Sequence, residues 1–487
     1  MATGTKQRFS DEANEHFTYE SADKLLENME HLQQMIEQHK KVQRPRLQTL
    51  QNYFKGNNET ILKDNRRREE HLADNRAVHN FARYVSTFIQ GYMVGIPLKT
   101  THDDEDVSER IRDMNRINDA DEHNSELVLD QSIYGRAYEL LYRGTDDEYH
   151  FTHVDVLNTF VIYDETVERK PIAGVRYFKS KYSEEETVLL YTSEKNLKLN
   201  YEDGSKLQIV EPETEEEKEK EINNFEGVPI IEYENNKFRQ GDFEDVLALI
   251  DMYDGAQSDL ANYSQDLNDA MLKIIGNLDL EVEEAKEMKK NNIIFLKTEP
   301  NADGRESTAN ADYIYKQYDV QGSESYKTRI ANDIHLFTAT PNLSDENFAG
   351  NMSGEVMKYK LFLMEQKRAA KERRFKRALR ERYRLISNMM KTASEGEIDV
   401  SELNITFTEN LPKNIEAEMK WFTDAGGQLS QKTMISQLSF IENADEEIEQ
   451  LEEEERQRPI NQPQYDFEEH QHQNSEEQQE EVNDDGE

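Results

Sequence analysis

Apolar positions in this chain follow two periods, and the change from one to the other divides it into parts. In residues 1–55, Leu25, Met29, Leu32, Met35 and Ile36 keep a helical spacing, and Arg44-Pro45 marks a break before Leu47 and Leu50. A turn and a charged connector follow over 52–76. A helix is predicted over 78–91 from Phe81, Tyr84, Val85, Phe88 and Ile89, then a short extended segment over 94–100. Two further helices are predicted at 107–117 and 127–134, and Gly135 leads into a strand at 137–143. From 149 to 233 the period falls to two. Strands are predicted within 151–164, 172–182, 186–193, 197–211 and 227–233, with Asp203-Gly204 as a hairpin turn. The run EPETEEEKEKE at 211–221 reads as a solvated loop in what is otherwise an antiparallel sheet domain.

The helical period returns at Phe243. Val246, Leu247, Ile250, Tyr253, Leu260, Tyr263, Leu267, Met271 and Ile274 extend it almost to Gly276. Its other faces carry Asp242, Glu244, Asp245, Asp251, Asp254, Asp259, Asp266 and Asp269, with no Lys or Arg before Lys273. A small αβ insert comes next: a helix at 282–290, a strand at 292–297, a turn at 301–306 and a strand at 311–319. Tyr326, Ile330, Ile334 and Phe337 then predict a short helix over 325–339, which Pro341 stops. The loop PNLSDENFAG follows, and Ser353 is placed to cap a long helix with Glu355 in its first turn. That helix runs without Gly or Pro from about 355 to 390, which with its cap makes a rod of roughly 57 Å. Its stripe of Met357, Leu361, Met364, Phe375, Leu379, Ile386 and Met390 is interrupted at Arg368 and Lys371, which predicts a kink or a change of packing partner. A strand at 402–411 and helices at 414–424 and 431–443 complete the ordered part. The composition is that of an α+β chain, mainly α.

Charge sharpens this picture. The 487 residues carry a formal net charge of −42, yet ten Lys or Arg stand between 367 and 384 against Glu372 and Glu381 alone. Such a run is in the plainest case a solvated or ion-paired face. From 442 onward there are 19 acidic residues and two basic ones, and everything after about 456 is expected to be disordered. The overall acidity argues against wide adhesion to nucleic acid, though not against a protein that surrounds DNA without holding it. No run of 18 apolar residues predicts a membrane span, and the N-terminus lacks an apolar signal core. Cysteine is absent, which removes disulfides, thiolate metal sites and thiol nucleophiles. No GxxxxGK[ST], HExxH, GxSxG or CxxC pattern occurs, and His470 and His472 lie in a polar tail. Neither catalysis nor a cofactor is expected.

The stretches QRPRLQTLQNYFKG, ADNRAVHNFARYVSTFIQGYMVGIPL, DQSIYGRAYEL, TFVIYDETVERKPIAGVRY, LIDMYDGAQSDLANYSQDLNDAMLKIIGNL, the run from Ile314 to Gln366 and NLPKN stand in the order of these parts. In wording and order they resemble the portal proteins of long-tailed double-stranded DNA bacteriophages. They span residues 43 to 413 and draw their specificity from length and order, not from one short motif. The resemblance implies a portal fold built as a ring around a central channel. It places an N-terminal helical segment at 1–55, a wing of helices and antiparallel sheet at 56–241, and a stem helix at 242–275. A small αβ clip follows at 276–323, a returning stem helix at 324–340 and a tunnel loop at 341–354. A long kinked helix (355–395) joins stem to wing, before a crown (396–455) and an acidic tail (456–487).

The same resemblance implies residue roles. Asn342, Ser344, Asp345, Glu346, Asn347, Phe348 and Asn351 would face DNA on the tunnel loop. Asp251, Asp254, Asp259 and Asp266 would line the channel and keep a polyanion centred by repulsion. Lys367, Arg368, Lys371, Arg374 and Arg377 on the long helix fit either a neighbouring subunit's acids or a place beside packaged DNA. Lys286, Lys289, Lys290 and Arg305 would make clip contacts. The implied partners are further copies in a dodecameric ring, double-stranded DNA, the terminase large subunit, head-completion or adaptor proteins, and the major capsid and scaffolding proteins. No membrane is involved. The expected location is the capsid portal vertex of the virion, after assembly in the host cytoplasm. A scaffold or adaptor without a channel is the alternative.

Overall fold

The computed structural model describes residues 8–63, 73–182, 185–201, 206–214, 221–266, 271–275, 310–314, 319–343, 361–408, 415–424 and 430–436, with isolated positions besides. It divides into two compact units, Met1–Asn410 and Leu411–Glu487.

The first unit begins with strand β1 (Phe17–Thr18), helices α1 (Ala22–Glu27) and α2 (Met29–Gln38), and helix α3 (Arg44–Lys55). The break expected at Pro45 is a change of winding. A π-helical turn at His39–Gln43 joins α2 to α3, and Pro45 sits in the first turn of α3, where a missing N–H costs least. After α4 (Glu59–Leu62) and α5 (Phe81–Val94), strand β2 (Lys99–His102) leads to α6 (Glu105–Ile117) and α7 (Ala120–Tyr134).

Two sheets follow. Strands β3 (Arg136–Arg143) and β4 (Tyr149–Val154) join a later strand, β10 (Ile230–Glu234), in the antiparallel order β10-β3-β4. Strands β5 (Thr159–Tyr163), β6 (Pro171–Lys179), β7 (Glu186–Thr192), β8 (Asn196–Tyr201) and β9 (Gln208–Ile209) form a meander, and β1 adds to its β5 edge in parallel. Alternate side chains of this sheet, among them Phe160, Ile162, Val175, Val188, Leu190 and Leu199, close a core with Leu25, Leu32 and Ile36 of the first helices. The N-terminal helical segment therefore packs as part of the sheet region. Gly174 lies where β6 passes β10: a Cβ there would meet the Ile230 side chain at 2.9 Å.

The acidic helix α8 (Leu247–Asp266) is shorter than its apolar spacing predicts. The helix expected to reach Gly276 ends at Asp266, and Met271–Ile275 is strand β11, paired antiparallel with β12 (Asn310–Ile314). The backbone groups of 271–275 bond across to 310–314, a partner no local count can anticipate. The returning helix α9 (Val320–Thr338) starts five residues before the expected 325, because the Asp319 carboxylate accepts from the Gly322 N–H at 2.8 Å. The long helix α10 (Phe362–Thr392) follows. Its start expected near 353 lies outside the described residues.

Strand β13 (Leu403–Thr406) then pairs antiparallel with β2, bringing the chain back 300 residues upstream. The largest core is closed by this return. Met93, Ile111, Leu127, Val128, Ala137, Leu141, Phe151 and Tyr233 pack with Phe375, Leu379, Tyr383, Ile386, Leu403 and Ile405. In the second unit, helices α11 (Ile415–Asp424) and α12 (Gln431–Ser436) are described, with Met434, Ile435 and Leu438 buried. Among the described residues no helix is long and apolar enough to cross a membrane.

Candidate functional site

The parts singled out by the sequence meet where α8 begins, α9 ends and α10 passes. Asp242, just before α8, lies buried and accepts from Lys371 Nζ at 2.6 Å, with Lys367 Nζ at 3.1 Å. Lys367 also donates to the Thr338 carbonyl at 3.0 Å, in the last turn of α9, where a cation meets the negative end of the helix. One carboxylate and two ammonium groups thus join all three helices. Burial would raise the Asp242 carboxyl, but Lys367 and Lys371 outweigh it and hold the group well below the usual carboxylate range. Lys371 interrupts the apolar stripe of α10 for this reason: its position is buried, and its charge is spent on Asp242.

Two further bases of α10 are held in the same way. Arg368 bonds Glu365 at 2.7 Å and Glu372 at 2.9 Å on its own helix, and Arg374 reaches Glu234 at 2.5 Å. The plain reading of the run, an ion-paired face, holds for Lys367, Arg368, Lys371 and Arg374, and their partners lie within the same chain. Arg377 is exposed and lines a cleft of about 1200 Å³ with Arg374, Arg384, Glu381 and residues 167–171.

At the floor of that cleft His16, Glu232 and Glu234 approach closely enough to hold a metal ion. Each of the three already has an ion-pair or hydrogen-bond partner. Glu232 is bonded to Arg239 at 2.6 Å and accepts from Tyr163 at 2.8 Å, while Glu234 binds Arg374 and His16. We read this cluster as an internal ion network. A second such anchor ties the N-terminal helices to the start of α8: Arg46, fully buried, bonds Glu244 at 2.8 Å and the carbonyls of Tyr134 and Arg239. Arg46, Glu232 and Arg239 went unrecognised in the sequence, where nothing in spacing or composition marks them.

The acids of α8 divide by environment. Asp251 is partly exposed and accepts from Arg8 at 2.9 Å and from the Tyr53 hydroxyl. Asp254 is 0% exposed, so its expected channel-lining role is corrected: it accepts from the His79 N–H at 2.8 Å, His79 Nδ1 at 3.1 Å and Asn58 Nδ2 at 3.0 Å. It fastens the segment after α4 onto the helix. Asp259 is exposed in a groove of about 510 Å³ between α8 and α9, beside Gly255, Ala256, Gly322 and Tyr326. Lys327 spans the same pair of helices, donating to Gln257 at 2.5 Å. The Asp266 side chain lies outside the described residues.

Of the expected tunnel loop, Asn342 is described, half-buried and within 3.4 Å of Asn332. Nearby the Tyr84 hydroxyl donates to the Pro341 carbonyl at 2.7 Å, which fixes the end of α9 against α5. Ser344, Asp345, Glu346, Asn347, Phe348 and Asn351 lie outside the described residues. Of the expected clip contacts Lys286 is exposed, 3.7 Å from Glu283, and Lys289, Lys290 and Arg305 lie outside them.

Comparison with known proteins decides what this arrangement belongs to. The family described as phage portal protein, SPP1 Gp6-like, matches residues 33–459. The chain belongs to that portal family. It is 22% identical over 398 residues to the portal protein of Bacillus phage SPP1, covering 78% of this chain and 76% of the relative. It is 23% identical over 399 residues to the portal protein of Clostridium phage phiCD119, covering 77% and 83%. The portal family is a structural one, and the ion pairs of α10 and the buried Asp254 fit a framework role.

Proposed function

We propose that this chain forms the ring-shaped portal at one capsid vertex, through which double-stranded DNA is packaged by the terminase and later ejected. Head-completion proteins and the tail would attach to the same ring. The observation that carries this reading is the portal-family match across residues 33–459, which takes in every helix that meets at Asp242. In it α8 and α9 serve as the stem, the insert between them as the clip, and 341–354 as the tunnel loop. The locked junction of Asp242, Lys367 and Thr338 suits a conduit, since a passage for a moving polymer must keep its bore while the cargo slides. Exposed acid such as Asp259 would repel phosphate in that bore, and ring symmetry would repeat each such charge as a belt.

The test is native mass measurement and negative-stain imaging of the purified protein. A closed ring with a central hole is the expected result. A monodisperse monomer across protein concentration and salt would reject the channel, and a defined open oligomer would favour a scaffold or adaptor.

A further inference from the structure

Ten basic residues stand between 367 and 384, and seven of them have partners inside the chain: Lys367, Arg368, Lys371, Arg374, Lys376, Arg382 and Arg384. The other three, Arg373, Arg377 and Arg380, are exposed and have no ion-pair partner among the described residues. With the exposed Arg384 they fall at intervals of four, three and four positions, which puts all four on one face of α10 over about 16 Å. The neighbours of Arg373 and Arg380 along that face are themselves basic, and like charges at this spacing weaken a helix instead of bracing it. The stripe is a line of positive charge on a chain of net charge −42, and three of its four groups have no ion-pair partner among the described residues.

A matching line of the opposite sign exists elsewhere in the same unit. On α7 and its first flanking residue, Asp119, Glu122, Glu126 and Asp130 fall at intervals of three, four and four positions, again about 16 Å. Asp119, Glu122 and Glu126 are exposed and without an ion-pair partner among the described residues, while Asp130 is bound to His153 at 2.5 Å. Each stripe therefore has three open charges and a fourth occupied internally, since Arg384 holds Glu381.

We infer that the arginine stripe of α10 docks on the acidic stripe of α7 of the neighbouring copy. This rests on the ring reading above and gives it a contact. Two copies at −42 repel one another, so a closed assembly needs places where opposite charges face each other. A contact between two different surfaces of one chain is heterologous, and it closes into a ring when the rotation between copies allows. Duplex DNA is the competing partner for such arginines, and the acidity of the whole chain and the equal length of the two stripes favour the second copy.

The experiment uses the full chain and two variants, Arg373→Glu/Arg377→Glu/Arg380→Glu and Glu122→Lys/Glu126→Lys. All the altered side chains are solvent-exposed, so circular dichroism and unfolding midpoints should match the wild type. Alone, each variant should assemble about tenfold more weakly by native mass measurement, a change of about 1.4 kcal/mol for the contact. Mixed in equal amounts, the two should recover rings, because every contact in an alternating ring then joins opposite charges. The gap in assembly between wild type and each variant should narrow as salt rises. Rings from the Arg→Glu variant at wild-type concentration would overturn the inference and leave the portal reading intact. Failure of the mixture to assemble would also overturn it. So would normal rings from Arg373→Gln/Arg377→Gln/Arg380→Gln together with lost binding to a short DNA duplex, which would assign the stripe to DNA. A wild-type chain that never forms a ring would remove both readings.

Discussion

Arg382 and Glu139 stand 243 positions apart in the chain and meet as a two-point ion pair from which solvent is excluded. Arg382 Nε lies 2.9 Å from Glu139 Oε1, its other arm bonds Oε2 and Asn124 Oδ1, and the guanidinium lies over the Phe151 ring at 4.1 Å. The pair joins α10 to β3. Replacing Arg382 by Met should destabilise the chain by about 3–5 kcal/mol, because Glu139 is left charged in the interior. Adding Glu139→Gln should return a large part of that loss. Denaturant midpoints of the wild type and the two variants check this, and equal loss in the single and double variants would show that packing, not charge, carries the effect.

The same carboxylate sets a pH dependence. Burial opposes its ionisation, but Arg382 and His123 outweigh burial and hold Glu139 down to about 2, against an ordinary 4.5. A folded value below the unfolded one gives stability that is fully present above pH 4.5 and is lost as pH falls toward 2. The difference in unfolding midpoint between wild type and Glu139→Gln should therefore be widest above pH 4.5 and narrow below it. A constant difference down to pH 3 would contradict this.

Asp254 and Asp259 lie on one helix and should respond differently. Asp254→Ala strands the His79 N–H and the Asn58 amide, for a loss of about 1–3 kcal/mol. Asp259→Asn, at an exposed position, should change stability by no more than about 0.5 kcal/mol. Thermal unfolding of the two variants separates them. An Asp254→Ala chain as stable as the wild type would reopen its channel-lining role.

Gly135 ends α7 at φ +82°, and a Cβ there would stand 2.1 Å from the Arg239 carbonyl oxygen. Gly135→Ala should cost more than about 1 kcal/mol, since both the backbone angle and the close approach are lost. Soluble yield and denaturant midpoint report it, and a neutral result would mean that the 239–240 segment moves aside freely.

On the proposed tunnel loop, Asp345→Lys/Glu346→Lys would add positive charge where DNA passes. Assembly should survive while packaging slows, more so at low ionic strength. The readout is DNA length per capsid in particles built with the variant. Full-length packaging at the wild-type rate would remove the loop from the DNA path.

Much of this was legible from residue patterns. Phe81 to Ile89 gave α5 its face, and the alternation around Val175, Val188 and Leu199 gave the meander, because each reads out burial within a few residues. Two-residue β1 carries too short a signal, and its pairing with β5 depends on residues 145 positions away. Helix α8 was overextended because Met271 and Ile274 keep a helical spacing, and only the partner strand at 310–314 settles that the segment is extended. Among functional candidates the basic run was plain, but its division into paired and open arginines was not. Partners such as Asp242, Glu234 and Glu139 are more than 100 positions from the bases they hold. Asp254 failed as a surface residue for the same reason: the segment that covers it lies near Asn58 and His79.

The shared core of residues 93–151, 225–233 and 375–407 also fixes a timetable for synthesis. At about 5–20 residues per second, a ribosome needs roughly 12 to 50 s to travel from Glu139 to Arg382. Throughout that interval the early helices and β3 are already outside the exit tunnel with one wall of their core missing. The region translated first is thus among the last to become native. A pause or frameshift anywhere between residues 242 and 340 would leave it open, exposing its apolar face to chaperones and proteases. On the ring reading proposed above, a subunit cleared at that stage would never enter a ring.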